Sequence, residues 1–361
     1  MTVITGTGSL FLLVSMFAPP GTGGVRGFRL DAATGTLAAD GGPWPAANPF
    51  FLAVTPDGRT VYGNAAARFG SPDDEEVIAW RLDAAAGTLT EINRQSTRGN
   101  ASCYVELDDS GRALLIANYS NGSVATLPVA ADGSLSPAAS FIRHEPPPGR
   151  TQAKAHAIVP VAAPDGCPFV YAADLGLDRI LCYRLDPATA TLVPGDPPFV
   201  DAPDGAGPRH LAVAPSGRHL YAVNELANSV TVYDRDTASG RLRRGPTVST
   251  LPDGFAGKSF CADVKLRPDG RFLYATNRGH DSIAVFRVGD DGRLERLAIV
   301  PSRGGGPQNL ALSPDGRLLV CANMTGDNLA VFAIPAETGV PAPLGDPVPC
   351  KAPSCIRVVA P

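Results

Sequence analysis

Tryptophan is almost missing from this chain of 361 residues, with Trp44 and Trp80 the two it has, and histidine occurs five times. Surfaces built to grip another protein concentrate aromatic anchors, so the scarcity argues against a dedicated protein-binding face. The seven cysteines are odd in number and include no C-x-x-C pair, and Cys350 and Cys355 have no histidine near them. Small buried core residues in a reducing compartment are the expected role, with neither a metal site nor a disulfide framework. No apolar run is long enough to cross a bilayer. The net charge is −4 and the lysines and arginines are dispersed, so no nucleic-acid stripe or membrane-surface helix is expected. A nucleophile elbow, a phosphate loop, a dinucleotide fingerprint and a histidine pair at helical zinc-ligand spacing are all lacking. Covalent catalysis is thus unsupported, and no cofactor is expected.

Glycine and proline, by contrast, are plentiful, at 39 and 35. They separate short apolar alternations that repeat along the chain, most clearly in GPRHLAVAPSGRHLYAVNELANSVTVYDRDTASGRL at 207–242. RPDGRFLYATNRGHDSIAVFRV and SPDGRLLVCANMTGDNLAVFAI repeat the order of turn, apolar run, Asn, polar loop and apolar run. The turn glycines Gly58, Gly111, Gly166, Gly217, Gly270 and Gly316 are spaced by 53, 55, 51, 53 and 46 residues. Short strands at a period near 50 predict a β-propeller, one four-stranded blade per repeat. LFLLVSMF, VRGFRLD and TGTLAAD near the start read as the second to fourth strands of a further blade, and SCIRVVA at the end as its first. The expected fold is therefore all-β, one domain over 1–361, a seven-bladed propeller closed by N- and C-terminal strands that share a blade. Such sharing leaves no open sheet edge. The run SLFLLVSMFA has no Lys or Arg before it and fits a strand the ring needs, so it is read as a strand and not a signal peptide, and the location as cytoplasmic.

Propeller geometry sorts the loops into two faces. The P-D-G turns and the T-G-T-L type turns share one face and are repetitive. The other collects AKAH, GPRH, NEL, NRGHDS and GPQN, which differ from blade to blade, and a variable face on a uniform scaffold is where a binding site belongs. The long connection HEPPPGRTQAKAH delivers His156 to the start of an innermost strand, whereas the acidic insertion ARFGSPDDEE is read as a solvated loop. Counting back from the turn glycines places Phe51, Tyr104, His210, Asp263 and Asn309 at equivalent starts of first strands, around the mouth of a central tunnel.

Each candidate has a duller alternative. His156 could be a base or an oxyanion donor, or simply an inward polar residue bonded to a carbonyl. Arg209 and His210 could grip an anion, or Arg209 could tie two blades together. Glu225 and Arg278 occupy matching positions after the second strands of adjacent blades, which points both into one region. Asn64, Asn118, Asp174, Asn224, Asn277 and Asn323 recur in six blades, a pattern that fits loop capping. An acid, one or two histidines and two or three cations suit the opening or closing of a lactone ring. Glu225 is the expected general base, since a carboxylate beside a low-dielectric channel can gain proton affinity, with His156 as alternative base or as proton donor.

At these residues the chain resembles the seven-bladed lactonase family, which includes propeller-type 6-phosphogluconolactonases and the fungal 3-carboxy-cis,cis-muconate cyclase. AKAHAI, DLGLDRI, GPRHLAV, LYAVNEL, LYATNRGHDSIAVF and SPDGRLLVCAN carry the resemblance, which covers nearly the whole chain. It implies a metal-independent pocket whose His, two Arg and Glu fall on His156, Arg209, Arg278 and Glu225. Further substrate contacts are expected at Lys154, His210, Asp263 and Gln308. Lys154 stands where the family often has a histidine, and Gln308 where an arginine is common. The reading is a hydrolase of a sugar-acid lactone such as 6-phosphoglucono-1,5-lactone, with a small-molecule substrate as partner. A carboxymuconate cycloisomerase and a non-catalytic binding propeller are the alternatives, and no feature sets an oligomeric state.

Overall fold

The computed structural model describes residues 8–71, 75–149 and 152–359. Residues 72–74 of the acidic insertion and 150–151 of the Pro-rich connection lie outside the described residues. The described residues form seven antiparallel sheets, and no helix occurs among them. Counting from Leu52, blades 1 to 6 each use four consecutive strands; blade 4, for example, has Pro208–Val213, His219–Asn224, Ser229–Arg235 and Leu242–Ser249. Blade 7 is shared between the termini. Its innermost strand is Pro353–Val359, followed outward by Ser9–Met16 and Gly24–Asp31, with Leu37–Ala39 and Trp44–Pro45 completing the edge. Leu12 pairs with Val358 and Val14 with Ile356, so the two ends of the chain meet in one ladder. The innermost strands touch their neighbours all the way round. The apolar run near the start is the strand that the ring needs, buried along Phe11–Met16.

Burial follows from radial position. Second strands lie between neighbouring blades and are buried along their whole length, as in Ala113–Asn118 and Leu318–Asn323, whereas the outermost Leu242–Ser249 alternates towards solvent. Sheets covered on both faces read as continuous apolar runs, which is why the second strands were so visible in the sequence. The turn glycines each hold positive φ, from 68° at Gly111 to 77° at Gly166, and each donates its amide three residues back, as from Gly217 to Ala214 at 2.8 Å. That backbone is strained for a side chain with a Cβ, so glycine recurs. Blades are also stapled sideways. Tyr62, Tyr171, Tyr221 and Tyr274 donate their hydroxyls to Gly133, Gly240, Gly292 and Gly339 of the next blade at 2.6 to 3.1 Å.

The recurrent Asn or Asp occupies one register position in five blades, closing the pairing of second and third strands as Asn224 does opposite Ser229. Asn118, Asn277 and Asn323 donate to Thr97, Thr250 and Ser302 carbonyls at about the strand-4 exits, at 2.9 to 3.0 Å, the loop-capping role. Asn64 differs. It sits one pair short of that end, and its Oδ1 accepts the amides of Phe50 and Phe51 at 3.1 and 2.7 Å.

Candidate active site

The site residues arise from one backbone device. At the entrance of the first strand, the register against the second strand slips by one, so a single residue bulges out: Cys103 in blade 2, His156 in blade 3, Arg209 in blade 4, Gln308 in blade 6 and Ser354 in blade 7. A bulge re-aims its side chain, here to the variable face. The position after the recurrent Asn or Asp, at the end of each second strand, supplies a second ring of side chains. Glu225 is held there by its amide to Gly207 at 2.8 Å, and Arg278 holds the matching place opposite Phe260.

Four of the expected residues come together. Arg209 donates from Nε to Glu225 Oε2 at 2.8 Å, and Arg278 Nη2 lies 3.1 Å from Glu225 Oε1. Arg278 also donates to the Cys261 carbonyl at 3.0 Å and to Gln308 Oε1 at 3.4 Å. The Arg209 side chain is 1% exposed, and its Nη2 makes no hydrogen bond among the described residues. Glu225 therefore spends both oxygens on guanidinium groups. His156 lies beside this array, its ring 5.4 Å from that of His210 and 5.5 Å from Tyr119. Burial, then the positive charge of Arg209, push its pKa well below the ordinary histidine value, so the ring is neutral. Its Nδ1 is 3.6 Å from Cys103 Sγ, and Nε2 has no hydrogen-bond partner among the described residues. Lys154 stands at the rim with its ammonium 5.3 Å from the Tyr119 ring.

His210 and Asp263 lie one layer down, and this layer differs from an open tunnel mouth. Phe51 stacks on Tyr104 at 4.2 Å, and His210 meets both rings edge-on at 5.6 and 5.2 Å. At this level the aromatic side chains of Phe51 and Tyr104, from blades 1 and 2, pack against His210 of blade 4. The polar residues there satisfy one another: Arg209 Nη1 donates to His210 Nε2 at 3.0 Å, and His210 Nδ1 donates to Asp263 at 2.8 Å. Asp263 further accepts from Asn309 at 2.8 Å, Leu310 N at 2.9 Å and Lys265 at 3.1 Å, and Asn309 accepts Ile356 N at 2.8 Å. Burial and the neighbouring Arg209 lower the pKa of His210 to about 3, so it too is neutral. Burial pushes Asp263 up, but Lys265 and the His210 hydrogen bond outweigh it and hold the carboxyl ionised. A buried carboxylate needs such partners.

Two contributors escaped the sequence reading. Cys103 was visible in principle, because ASCYVEL aligns with GPRHLAV once the bulge is known; burial drives its thiol pKa up, so it is no nucleophile. Glu75 was read as part of a solvated acidic loop, yet it is 4% exposed and accepts the amides of Gly70, Ala101 and Ser102 at 2.9, 2.9 and 2.7 Å. It pins the insertion to blade 2. Among the described residues, no three His, Cys, Asp or Glu side chains are grouped to hold a metal.

The fold and site define a class, the closed all-β propellers that present polar chemistry at one end of the ring axis. The chain belongs to the seven-bladed β-propeller lactonase family, whose description, lactonase with a 7-bladed beta-propeller, matches residues 11–358. It is 33% identical over 298 residues to the 6-phosphogluconolactonase of Bacillus subtilis, covering 82% of this chain and 83% of that protein. With the 6-phosphogluconolactonase of Pectobacterium carotovorum it shares 33% over 250 residues, 67% of each chain. The periplasmic gluconolactonase of Pseudomonas aeruginosa superposes with a TM-score of 0.88 at 34% identity, covering 98% of this chain and 99% of that one. No helix among the described residues is long and apolar enough to cross a membrane.

Proposed function

We propose that this protein hydrolyses a sugar-acid lactone, with 6-phosphoglucono-1,5-lactone the first substrate to try and cytoplasmic carbohydrate metabolism the setting. The observation that carries the reading is the Arg209–Glu225–Arg278 array beside a neutral histidine whose Nε2 has no hydrogen-bond partner among the described residues. The carbonyl oxygens of Ala117, Ala155 and His156 lie 3.5 to 3.9 Å from Cys103 Sγ and can accept the thiol S–H as a hydrogen bond. The sulfur then accepts Nδ1–H of His156, which leaves a lone pair on Nε2.

In this scheme His156 Nε2 takes a proton from water as the oxygen adds to the lactone carbonyl carbon, and Arg209 Nη2 stabilises the oxyanion. Collapse breaks the ring C–O bond, and the leaving alkoxide takes the proton back from His156. The product is the open hydroxy acid, whose carboxyl proton is lost to solvent. Arg278, with Gln308 and Lys154 at the rim, holds the anionic substituent, a planar fork being suited to phosphate or carboxylate. Glu225 orients the two guanidinium groups, and His210 and Asp263 support Arg209 from beneath. The base is thus assigned to His156 and not to Glu225, whose oxygens are already engaged.

Proton release on a panel of lactones tests this. The native protein should open 6-phosphoglucono-1,5-lactone faster than glucono-1,5-lactone, and His156→Gln should lose about 10² to 10⁴ in turnover. A protein that opens neither, but closes a carboxymuconate to its lactone, would move the assignment to a cycloisomerase. Seven free cysteines favour a reducing compartment, which cell fractionation checks.

A further inference from the structure

The two rings of side chains on the site face divide by chemistry. At the ends of the second strands, blades 4 and 5 present Glu225 and Arg278, while blade 7 presents Phe17 and blade 6 Met324. The same backbone hydrogen bond makes these positions equivalent: Phe17 N to Ala352 O at 2.8 Å, Glu225 N to Gly207 O at 2.8 Å and Met324 N to Gly306 O at 2.9 Å. At the strand entrances His156, Arg209 and Gln308 serve blades 3, 4 and 6, whereas blade 1 enters with Phe50, whose amide and that of Phe51 converge on Asn64 Oδ1, and the Ser354 of blade 7 is buried against Ser15. In a closed ring of seven, blade 4 faces the junction of blades 7 and 1. The guanidinium wall therefore looks across the axis at phenyl rings.

Those rings form a built surface. Phe17 meets Phe50 edge-on at 5.1 Å, and Phe69 packs on both, at 5.0 and 5.4 Å. Phe69 rides on the insertion that the buried Glu75 ties to blade 2 through Gly70, so its position is fixed from beneath. Phe17 and Phe69 keep part of their surface in solvent while Phe50 is buried behind them. A hydroxylated sugar pressed on this wall would give up water without a replacement partner, whereas an apolar group would cover wet aromatic surface.

We propose that the pocket, besides opening sugar-acid lactones, takes anionic lactones that carry an apolar ring or chain on the side away from the anion. Phe17, Phe50, Phe69 and Met324 form the wall that receives it; the idea rests on the hydrolytic reading above. The reaction is the same: water adds across the acyl C–O bond and the ring opens to a hydroxy acid.

A matched pair of probes isolates the wall: paraconate, a γ-butyrolactone with one carboxylate, and trans-phenylparaconate, the same lactone bearing on the γ carbon a phenyl group that lies on the ring face opposite the carboxylate. The phenyl group should raise kcat/KM by about 10-fold or more in the native protein, the range by which one apolar increment discriminates in a hydrophobic pocket. Phe17→Ser and, separately, Phe69→Ser should bring that ratio to within about threefold of unity. Neither should change kcat/KM for 6-phosphoglucono-1,5-lactone by more than about threefold, and Phe17→Leu should keep much of the phenyl gain. Phe69 lies in a surface insertion, so its variant tests the wall even where Phe17→Ser does not fold. If sugar lactones and paraconate are opened but the phenyl group confers no gain, or the variants slow every lactone alike, this inference is overturned and the hydrolytic reading stands. If no lactone is opened, the hydrolytic reading itself fails.

Discussion

Arg209 and Glu225 pair at 2.8 Å between the first two strands of one blade, with the guanidinium 1% and the carboxylate 19% exposed. A guanidinium this deep has lost its hydration, and Glu225 is the group that offsets its charge on the site side. The pair therefore tests positioning against proton transfer. Glu225→Gln should cost about 1 to 3 kcal/mol of stability, because it leaves a buried cation short of its partner, and should lower kcat and raise KM together. His156→Gln should depress kcat by about 10² to 10⁴ at nearly native stability. Urea melts run beside steady-state kinetics separate the two. A Glu225→Gln protein with native stability and KM but a collapsed kcat would return the base to Glu225.

Arg278 meets Glu225 and the Cys261 carbonyl through Nη2 and Gln308 through Nη1, both ends of one planar fork. An ammonium at the same place would keep the charge and lose the fork. Arg278→Lys should thus lower kcat/KM on a phosphorylated lactone by about 10-fold or more and affect an uncharged lactone less. Equal losses on both substrates would remove Arg278 from anion binding.

Acid should weaken the fold through His210. Its pKa falls from 6.5 to about 3 on folding, chiefly because burial and then Arg209 disfavour the cation. Above about 6.5 both folded and unfolded chains hold it neutral and its contribution is complete; as pH falls from there towards 3, the unfolded chain takes up a proton the native state refuses, and stability drains away. Unfolding free energies measured between about pH 7 and 4 should decline less steeply in His210→Gln than in the native protein. His156 is depressed in the same sense, so the acid limb of kcat/KM should lie below 6.5. A limb at or above that value would assign it to another group.

The ring is expected to fold as one unit and to fail as one. Deleting Ser354–Pro361 removes nearly all of the strand that pairs with Phe11–Met16 and packs against blade 6, exposing an open edge. The truncated chain should aggregate or lose cooperative unfolding. A monomer with an unchanged melting temperature would show that closure is dispensable.

Chelation should leave turnover unchanged. His210 and Asp263, the buried histidine and carboxylate nearest the site, already use each other as partners at 2.8 Å. Activity abolished by EDTA and restored by a divalent cation would require ligands drawn from elsewhere on the face.

The repeat was legible in the sequence because its physics is local. A glycine at positive φ every fifty or so residues, an apolar second strand buried on both faces, and an Asn or Asp where the second strand meets the third each need only their own few neighbours. Even ring closure could be read, since the missing first strand of blade 7 was present at the other end of the chain. That Glu225 and Arg278 share one region was expected for a similar reason, as equivalent positions in adjacent repeats lie side by side; that they pair with each other was not.

What only the tertiary structure decided was depth and direction. Arg209 and His210 are consecutive in sequence, yet a bulge sends the first to the site and the second into a packed layer beneath it. Strand alternation alone places neither, because one extra residue in the register reverses every side chain beyond it. Glu75 shows the same limit from the other side. It looked like one more solvated acid in a charged loop, and it became a buried anchor because three amides from two separate loops converge on it, a meeting that no local pattern encodes.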